Sequence, residues 1–421
     1  MKLMRLLAAA ISATAICSGA QAQTTIVKAA RYLDVVSGQY VSPAVIVVEG
    51  SKIAAINPAT TPAGEVLDLG AMTLLPGLMD AHTHLSYEIE PGFETAEVRF
   101  TPGDFAFRAA ENAEKTLRAG FTTVREVGAP YYIDVALGNA VKAGRVAGPH
   151  IIPAGHSLGI TGGHCDTTGF GPGILERDET TGVADGADGF TRAVRYQLKH
   201  GAKVIKICAT AGVLSFEDSV GAQQMSFEEM KAVADEAHRH GIKVAAHAHG
   251  TEGIIAASQA GIDSIEHGSV ITEQAANVLK KNGTYLTSTL YLAQTINWEA
   301  LPPPLAAKGR AVMPLADESF KLALRMGVKI ALGTDAGVYP HGQNAGELVR
   351  HVELGQTPIG AIRSATINNA DLFGVSDRGR IATGLLADLI AVDGDPLADI
   401  GELTDVDFVM RGGMVFKSPG E

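Results

Sequence analysis

The sequence predicts an α/β protein, a (β/α)8 TIM-type barrel with a small β-sandwich domain built from both ends of the chain. Two observations lead to this prediction. In the middle of the chain, a helical run that ends at a glycine is followed at once by a β-branched strand, and this unit recurs. Both ends carry short β-prone runs without a helical period. Strands that alternate with helices form parallel βαβ units.

The recurring unit can be located by the glycine at each junction. These residues are Gly120, Gly201, Gly241, Gly261, Gly283 and Gly327. The apolar run at residues 72–75 and the run at residues 150–153 bring the count to eight strands, as a barrel of this type requires. A doubly wound open sheet is the alternative, but no glycine-rich dinucleotide fingerprint follows a first strand.

The order of these patterns along the chain predicts the domain organisation. Residues 1–22 are predicted to be a signal peptide, 23–75 the first part of the β-sandwich, 76–375 the barrel and 376–421 the second part of the sandwich. Strands are expected at 26–29, 44–48 and 52–56, and again at 387–392 and 408–415. We therefore expect the two ends of the chain to build one small domain beside the barrel.

The first 22 residues have the three parts of a secretory signal. Lys2 and Arg5 provide positive charge, residues 6–16 form a short apolar segment, and Ala20-Gln21-Ala22 provides a cleavage site. The apolar segment is too short to span a bilayer. A lipoprotein anchored at Cys17 is disfavoured because bulky Ile16 precedes it. The sequence predicts a periplasmic or secreted protein without a membrane span.

Composition narrows the class of partner. The chain has 421 residues, of which 46% are hydrophobic and 19% charged, as in globular proteins. Its formal net charge of −12 argues against a nucleic-acid partner, which would require a basic surface.

Cys165 and Cys208 remain after removal of the signal. An oxidising compartment would permit a bond between them, but we expect Cys208 to act as a small packing residue instead.

Histidines and an aspartate follow the predicted strands at the end where a barrel carries its active site. His82 and His84 are two residues apart, so both point to one face of a strand. Such a pair can bind one metal ion. The other residues of this kind at strand ends are Lys206, His247, His249, His267 and Asp335. A single histidine would be a weak signal, but residues with metal-binding chemistry at several strand ends predict a metal centre.

These motifs resemble those of the amidohydrolase superfamily, in the branch of imidazolonepropionase-like enzymes that includes Xaa-Pro dipeptidases and ochratoxinase-type amidases. The matching segments are residues 76–84, 266–268, 333–337 and 384–389. The resemblance implies two divalent metal ions, most often Zn. His82, His84 and Asp335 would bind one ion, His247 and His267 the other, and Lys206, carboxylated on its amine, would bridge them. If Lys206 is unmodified, a mononuclear site is expected.

The implied chemistry is hydrolysis by a metal-bridging hydroxide, with Asp335 as general acid and base. Three further residues are candidates for substrate binding. His249 shares a face with His247 and could contact substrate or support the metal ligands. His164 could contact substrate or be a solvated loop histidine. Tyr291 could contact substrate or pack in the core.

The leading functional hypothesis is an exported hydrolase of amide bonds in dipeptides or N-acyl amino acids, with ochratoxin A, a phenylalanine amide, as a possible substrate. A cyclic-amide hydrolase or deaminase of the same superfamily is the second hypothesis. A non-catalytic periplasmic ligand-binding protein is the third, although a general base beside the predicted ligands argues against it. Because related proteins are often homo-oligomers, the resemblance also implies self-association.

Overall fold

The computed structural model describes residues 24–216 and 219–420. The predicted signal peptide, residues 1–22, lies outside the described residues. In the part that is described, no helix combines the length and the apolar character needed to cross a bilayer.

The chain alternates between strands and helices as an α/β protein does. The strands are β1 (Thr24–Ala29), β2 (Arg31–Asp34), β3 (Gln39–Val41), β4 (Ala44–Glu49), β5 (Lys52–Ile56), β6 (Glu65–Asp68), β7 (Thr73–Pro76), β8 (Leu78–Thr83), β9 (Phe121–Glu126), β10 (His150–Pro153), β11 (Val204–Cys208), β12 (Lys243–Ala248), β13 (Ser264–His267), β14 (Tyr285–Thr287), β15 (Lys329–Ile330), β16 (Leu389–Val392), β17 (Phe408–Arg411) and β18 (Met414–Lys417).

The α-helices occupy the intervals between the parallel strands and continue beyond the last of them. They are α1 (Ala96–Arg99), α2 (Pro102–Arg118), α3 (Ile133–Lys142), α4 (Gly186–Lys199), α5 (Phe227–Arg239), α6 (Thr251–Ala260), α7 (Glu273–Asn282), α8 (Leu292–Thr295), α9 (Pro303–Met326), α10 (Gly346–Glu353), α11 (Pro358–Ser364) and α12 (Ile367–Phe373). Short 3₁₀ helices are found at Phe93–Thr95, Pro130–Tyr132 and Ile400–Thr404.

Strands from both ends of the chain share one sheet. This six-stranded sheet has the order β18-β17-β16-β7-β2-β3, and a four-stranded sheet has the order β5-β4-β1-β6. The pairing of β16 with β7 is antiparallel, and it places Ile390 opposite Leu75. At the turn between β17 and β18, Gly412 and Gly413 both have positive φ, as a two-residue hairpin turn requires. A shared apolar core that includes Val27, Ile46 and Leu389 underlies these strands.

The eight strands β8 to β15 are parallel and form two sheets, β10-β9-β8 and β11-β12-β13-β14-β15. Backbone hydrogen bonds join the sheets at both edges. Ala81 donates to the Leu332 carbonyl over 2.8 Å at one edge, and Leu158 donates to the Lys206 carbonyl over 2.8 Å at the other. The carboxyl ends of all eight strands therefore point in one direction and lie around one space.

The start of the first parallel strand differs from the prediction. The apolar run at residues 72–75 was expected to be that strand, but it forms β7 in the six-stranded sheet, and β8 begins only at Leu78. Gly77 separates the two strands and donates to the Asp388 carbonyl over 2.9 Å. A Cβ at Gly77 would lie 2.1 Å from Thr122 Oγ1, so this close approach of the chain to β9 requires glycine.

The helices pack one apolar face against the parallel strands, with Phe190, Val233, Ile254 and Leu279 in one continuous core. A capping box begins α5, because the Ser226 side chain and the Glu229 carboxylate each accept a hydrogen bond from the other residue's backbone N–H. These contacts hold the helices against the parallel strands, and the carboxyl ends of the strands remain uncovered by them.

Candidate active site

A cavity of about 330 Å³ opens at the carboxyl ends of the parallel strands. All six predicted metal ligands line it: His82, His84, Lys206, His247, His267 and Asp335. These residues come from five strands or the loops just beyond them and are separated by up to about 250 positions along the chain. The structure therefore brings together the residues that the strand-end motifs indicated.

His82, His84 and Asp335 form a first ligand group, whose potential ligand atoms all lie within 4.8 Å of one another. The Nε2 atoms of His82 and His84 each lie 3.4 Å from Asp335 Oδ1. Asp335 has a left-handed backbone conformation with φ of 60°, which is rare outside glycine and occurs at functional sites. The backbone N–H of Asp335 donates to the His82 carbonyl over 2.8 Å and keeps this loop against β8.

The Nδ1 atom of each histidine in the first group is held by a hydrogen-bond acceptor. His84 Nδ1 donates to the Gly128 carbonyl over 3.2 Å, and His82 Nδ1 donates to Glu266 Oε2 over 2.8 Å. The proton of each ring is thereby fixed on Nδ1, and the Nε2 lone pair points into the cavity. Arg125 donates to the other carboxylate oxygen of Glu266 over 2.8 Å. This hydrogen-bonded chain orients His82 before any ligand binds.

His247, His249 and His267 form a second ligand group, again with potential ligand atoms within 4.8 Å of one another. His249 Nδ1 is 2.7 Å from Ser269 Oγ, and His267 Nδ1 is 2.9 Å from Thr289 Oγ1. The Nε2 atom of His247 is buried and has no hydrogen-bond partner among the described residues. Buried polar atoms are rarely left unpaired, so an orphaned imidazole nitrogen beside two other histidines fits a metal ligand.

Lys206 is buried in the same cavity, with 4% of its surface exposed. Within residues 24–216 and 219–420, its ammonium forms neither a hydrogen bond nor an ion pair. Burial lowers the pKa of Lys206 to about 8, although Glu266 and Asp335 oppose the shift. A lysine with this pKa is neutral in about one molecule in ten at pH 7, far more often than an ordinary lysine, and a neutral amine can react with carbon dioxide.

The electrostatics of the two groups suit divalent cations. Burial lowers the pKa of His84 to about 4 and that of His249 to about 3, so both rings are neutral near pH 7, as metal ligands must be. Burial would raise the pKa of Asp335, but its interaction with His82 holds that pKa well below the usual range. Neutral imidazoles together with an ionised carboxylate are ligands that zinc and similar ions accept.

The three candidates for substrate binding are placed differently. His249 lines the cavity and belongs to the second ligand group. His164 also lines the cavity, and its ring centroid is 4.1 Å from that of His247. Tyr291 is not among the lining residues. Its ring packs against that of Tyr339, with the centroids 5.5 Å apart, as the core-packing alternative describes.

Cys208 was expected to be a small packing residue without a disulfide, and this expectation was wrong. Cys208 forms a disulfide with Cys165, with the two Cα atoms 5.6 Å apart, and both residues line the cavity. Sequence could not reveal this pairing, because the two cysteines are 43 positions apart and the residues between them carry no signal for how the intervening loop folds back.

Two carboxylates that the sequence patterns did not indicate support the first ligand group. Asp80 Oδ1 accepts from the backbone N–H of His82 over 3.0 Å and from that of Thr334 over 3.1 Å. Glu266 holds His82 as described above. The alternation of side chains along a strand could have indicated Asp80, because it lies two residues before His82 and thus on the same face.

One wall of the cavity is apolar. Phe93, Leu292, Ile296 and Val338 line it and belong to one hydrophobic cluster. Elsewhere in the lining, Arg177 donates to both carboxylate oxygens of Glu97 at 2.6 Å. The cavity therefore combines polar ligand groups at its base with an apolar side that can hold an uncharged side chain.

Comparison with known proteins assigns this architecture to a family. The amidohydrolase family model matches residues 73–415. Ochratoxinase from Aspergillus niger is 35% identical over 372 residues, which cover 82% of this chain and 76% of ochratoxinase.

Solved structures give the same result. A Xaa-Pro dipeptidase with methionine bound in its active site has a TM-score of 0.89 and 37% identity, covering 94% of this chain and all of that one. A prolidase in complex with N-methylphosphonate-L-proline has a TM-score of 0.85 and 30% identity, with the same coverage. The predicted resemblance to the amidohydrolase superfamily is therefore confirmed.

Proposed function

Because this chain belongs to the amidohydrolase family, whose members are metal-dependent hydrolases acting on C–N bonds, we propose that it cleaves the amide bond of dipeptides or N-acyl amino acids. The observation that carries the proposal is the presence of two ligand groups at the base of one cavity that also has an apolar wall. The comparisons support it, since the similar proteins include an ochratoxinase, a Xaa-Pro dipeptidase and a prolidase.

We further propose that β8 to β15 form a single (β/α)8 barrel and that the protein is exported after removal of residues 1–22.

In this proposal the two ligand groups would hold divalent metal ions, most often Zn. His82, His84 and Asp335 would hold one ion, and His247 and His267 would hold the other, with His249 beside them. When bound, such ions lower the pKa of water and polarise a carbonyl group. The unpaired Nε2 of His247 and the unpartnered amine of Lys206 support this assignment. The Lys206 amine attacks carbon dioxide and releases a proton, and the resulting carbamate supplies the negative charge that a plain lysine lacks.

Asp335 moves the proton in this mechanism. Its carboxylate is ionised and lies at the base of the cavity, where it can accept a proton from the attacking water. The water oxygen bonds to the carbonyl carbon, the C–N bond breaks, and Asp335 delivers the proton to the leaving amine nitrogen. His164 and His249 face the same space and would contact the substrate, while the apolar wall would accept its side chain.

The apolar wall favours a leaving amino acid with a large uncharged side chain. Phenylalanine is one such residue, and ochratoxin A is therefore a reasonable test substrate. A panel should contain dipeptides, N-acyl amino acids, ochratoxin A and imidazolone-like rings. Turnover of the linear amides without turnover of the rings would support the proposal. The reverse result would favour the cyclic-amide alternative.

Asp335→Asn is the variant that tests the mechanism. Asparagine tolerates the left-handed conformation at this position better than other replacements, so the backbone should be preserved. We expect kcat to fall by about 10²- to 10⁴-fold or more, the usual contribution of a general acid and base. Asp263→Asn is the matched control, because Asp263 pairs with Lys243 and His238 at the opposite end of the strands. Full activity of Asp335→Asn would contradict the mechanism.

A further inference from the structure

A disulfide forms part of the wall of the cavity. Cys208 lies on β11 two residues after Lys206, so both side chains point to the same side of the strand. Cys165 directly follows His164 in the chain. The bond therefore ties the loop that carries His164 to the strand that carries Lys206, at a point inside the cavity.

The loop that carries His164 has little regular structure to hold it. Between β10 and α4, isolated parallel bridges join Leu158 to Ile207 and Gly159 to Val183. From residue 160 to residue 182 the described chain contains no helix or strand. Side-chain contacts and the disulfide must therefore fix the position of this segment, since ordering a free loop is entropically costly.

His164 itself is seated closely. Its Nδ1 is 2.6 Å from Ser215 Oγ, and its backbone N–H donates to Gln224 Oε1 over 2.9 Å. The ring lies on Gly212, where an added Cβ would be 2.2 Å from His164 Cε1. On its other side the ring faces His247, with centroids 4.1 Å apart. The second nitrogen, Nε2, has no hydrogen-bond partner among the described residues and is available to a ligand.

We propose that the Cys165–Cys208 disulfide is a positioning element that holds His164 for substrate binding, so that substrate affinity depends on the oxidised state of this pair. The inference rests on the proposed function, in which His164 contacts the substrate. Breaking the bond removes the covalent link one residue from His164 and leaves the ring held only by Ser215, Gln224 and packing. His82, His84 and His267 keep their own hydrogen-bond partners, so metal binding by these residues should be unaffected.

The first test is the double variant Cys165→Ala/Cys208→Ala, with metal content measured alongside kinetics. KM should rise by about 10- to 100-fold, the range expected when a hydrogen bond to a charged group is lost. The metal content should match that of the unaltered protein.

Treating the unaltered, folded protein with a phosphine should raise KM to the same extent. The phosphine is oxidised to its oxide with oxygen from water, while the S–S bond becomes two thiols. This arm also covers the case in which the double variant does not fold.

A double-mutant cycle separates positioning from general stabilisation. If the disulfide acts through His164, its removal should raise KM strongly in the natural background but hardly at all in a His164→Ala background. Glu179→Gln is the control for loosening of the same loop, because Glu179 pairs with Arg192 away from the cavity, and it should leave KM unchanged. Equal KM effects in both backgrounds, or no KM effect on reduction, would overturn the inference. The proposed function would fail differently, by the absence of turnover in the oxidised protein.

Discussion

Glu266 should control how tightly the first ligand group binds a metal ion, because its carboxylate fixes the ring of His82. This carboxylate is fully buried and accepts hydrogen bonds from His82 Nδ1 at 2.8 Å, Arg125 at 2.8 Å and Ser264 at 2.5 Å. Burial would raise the pKa of Glu266, but Arg125 and then His82 hold it at about 2. The replacement Glu266→Gln therefore keeps the shape of the side chain and removes its charge.

Two effects of Glu266→Gln can be estimated from these contacts. Removing the group that orients a metal-binding histidine typically weakens metal affinity by about 10- to 100-fold. Arg125 is 1% exposed, so its guanidinium would be left buried without a counter-charge. Breaking a buried ion pair in this way costs about 3–5 kcal/mol of unfolding free energy. The variant should thus lose both metal affinity and stability.

The two effects are measured separately. Metal affinity is obtained by competition with a chelator of known affinity, and the unfolding free energy by urea titration of the metal-free protein. Glu236→Gln is the control, because Glu236 is also a buried carboxylate paired with an arginine, Arg195, but on α5 and away from the cavity. It should lose some stability and keep its metal affinity. Unchanged metal affinity in Glu266→Gln would refute the role assigned to this carboxylate.

Dialysis against a strong chelator should abolish amide hydrolysis, and divalent zinc should restore it, because the proposed hydrolysis depends on bound cations. Activity that remains after complete metal removal, verified by elemental analysis, would contradict this prediction. Reconstitution in ¹³C-labelled bicarbonate should produce a carbamate carbon signal in NMR that Lys206→Ala lacks, since the buried amine has a pKa of about 8. Gly212→Ala should displace the ring of His164, because the new Cβ would lie 2.2 Å from that ring. We expect KM to rise about 10-fold or more while the metal content stays the same. An unchanged KM would argue against His164 as a substrate contact.

The positions of the predicted ligands could be found from sequence because each ligand belongs to a short local pattern, whereas their division between two ions came from the resemblance to the amidohydrolase superfamily. His82 and His84 alternate along one strand, and His247 and His267 come at the ends of strands that follow a glycine C-cap. Asp335 likewise comes just after the last parallel strand, which also follows a glycine at the end of a helix. A parallel sheet brings such positions together whatever the length of the connections, so local patterns were sufficient.

Features that depend on long-range pairing could not be predicted in this way. The run at residues 72–75 has the composition of a buried strand in either sheet, and only its pairing with β16 decides between them. Tyr291 follows β14 as a substrate residue might, but Gly346 offers space for its ring outside the cavity. The disulfide likewise depends on the path of a loop without regular structure. In each case the deciding contact is made with a distant part of the chain.

Anomalous X-ray scattering from crystals of the active enzyme tests most directly whether the two ligand groups bind metal ions. Data collected on both sides of the zinc absorption edge should show a peak between His82, His84 and Asp335, and a second one beside His247 and His267. Both peaks should disappear from crystals of the chelator-treated, inactive protein. Crystals of fully active enzyme without anomalous density at either position would contradict the account.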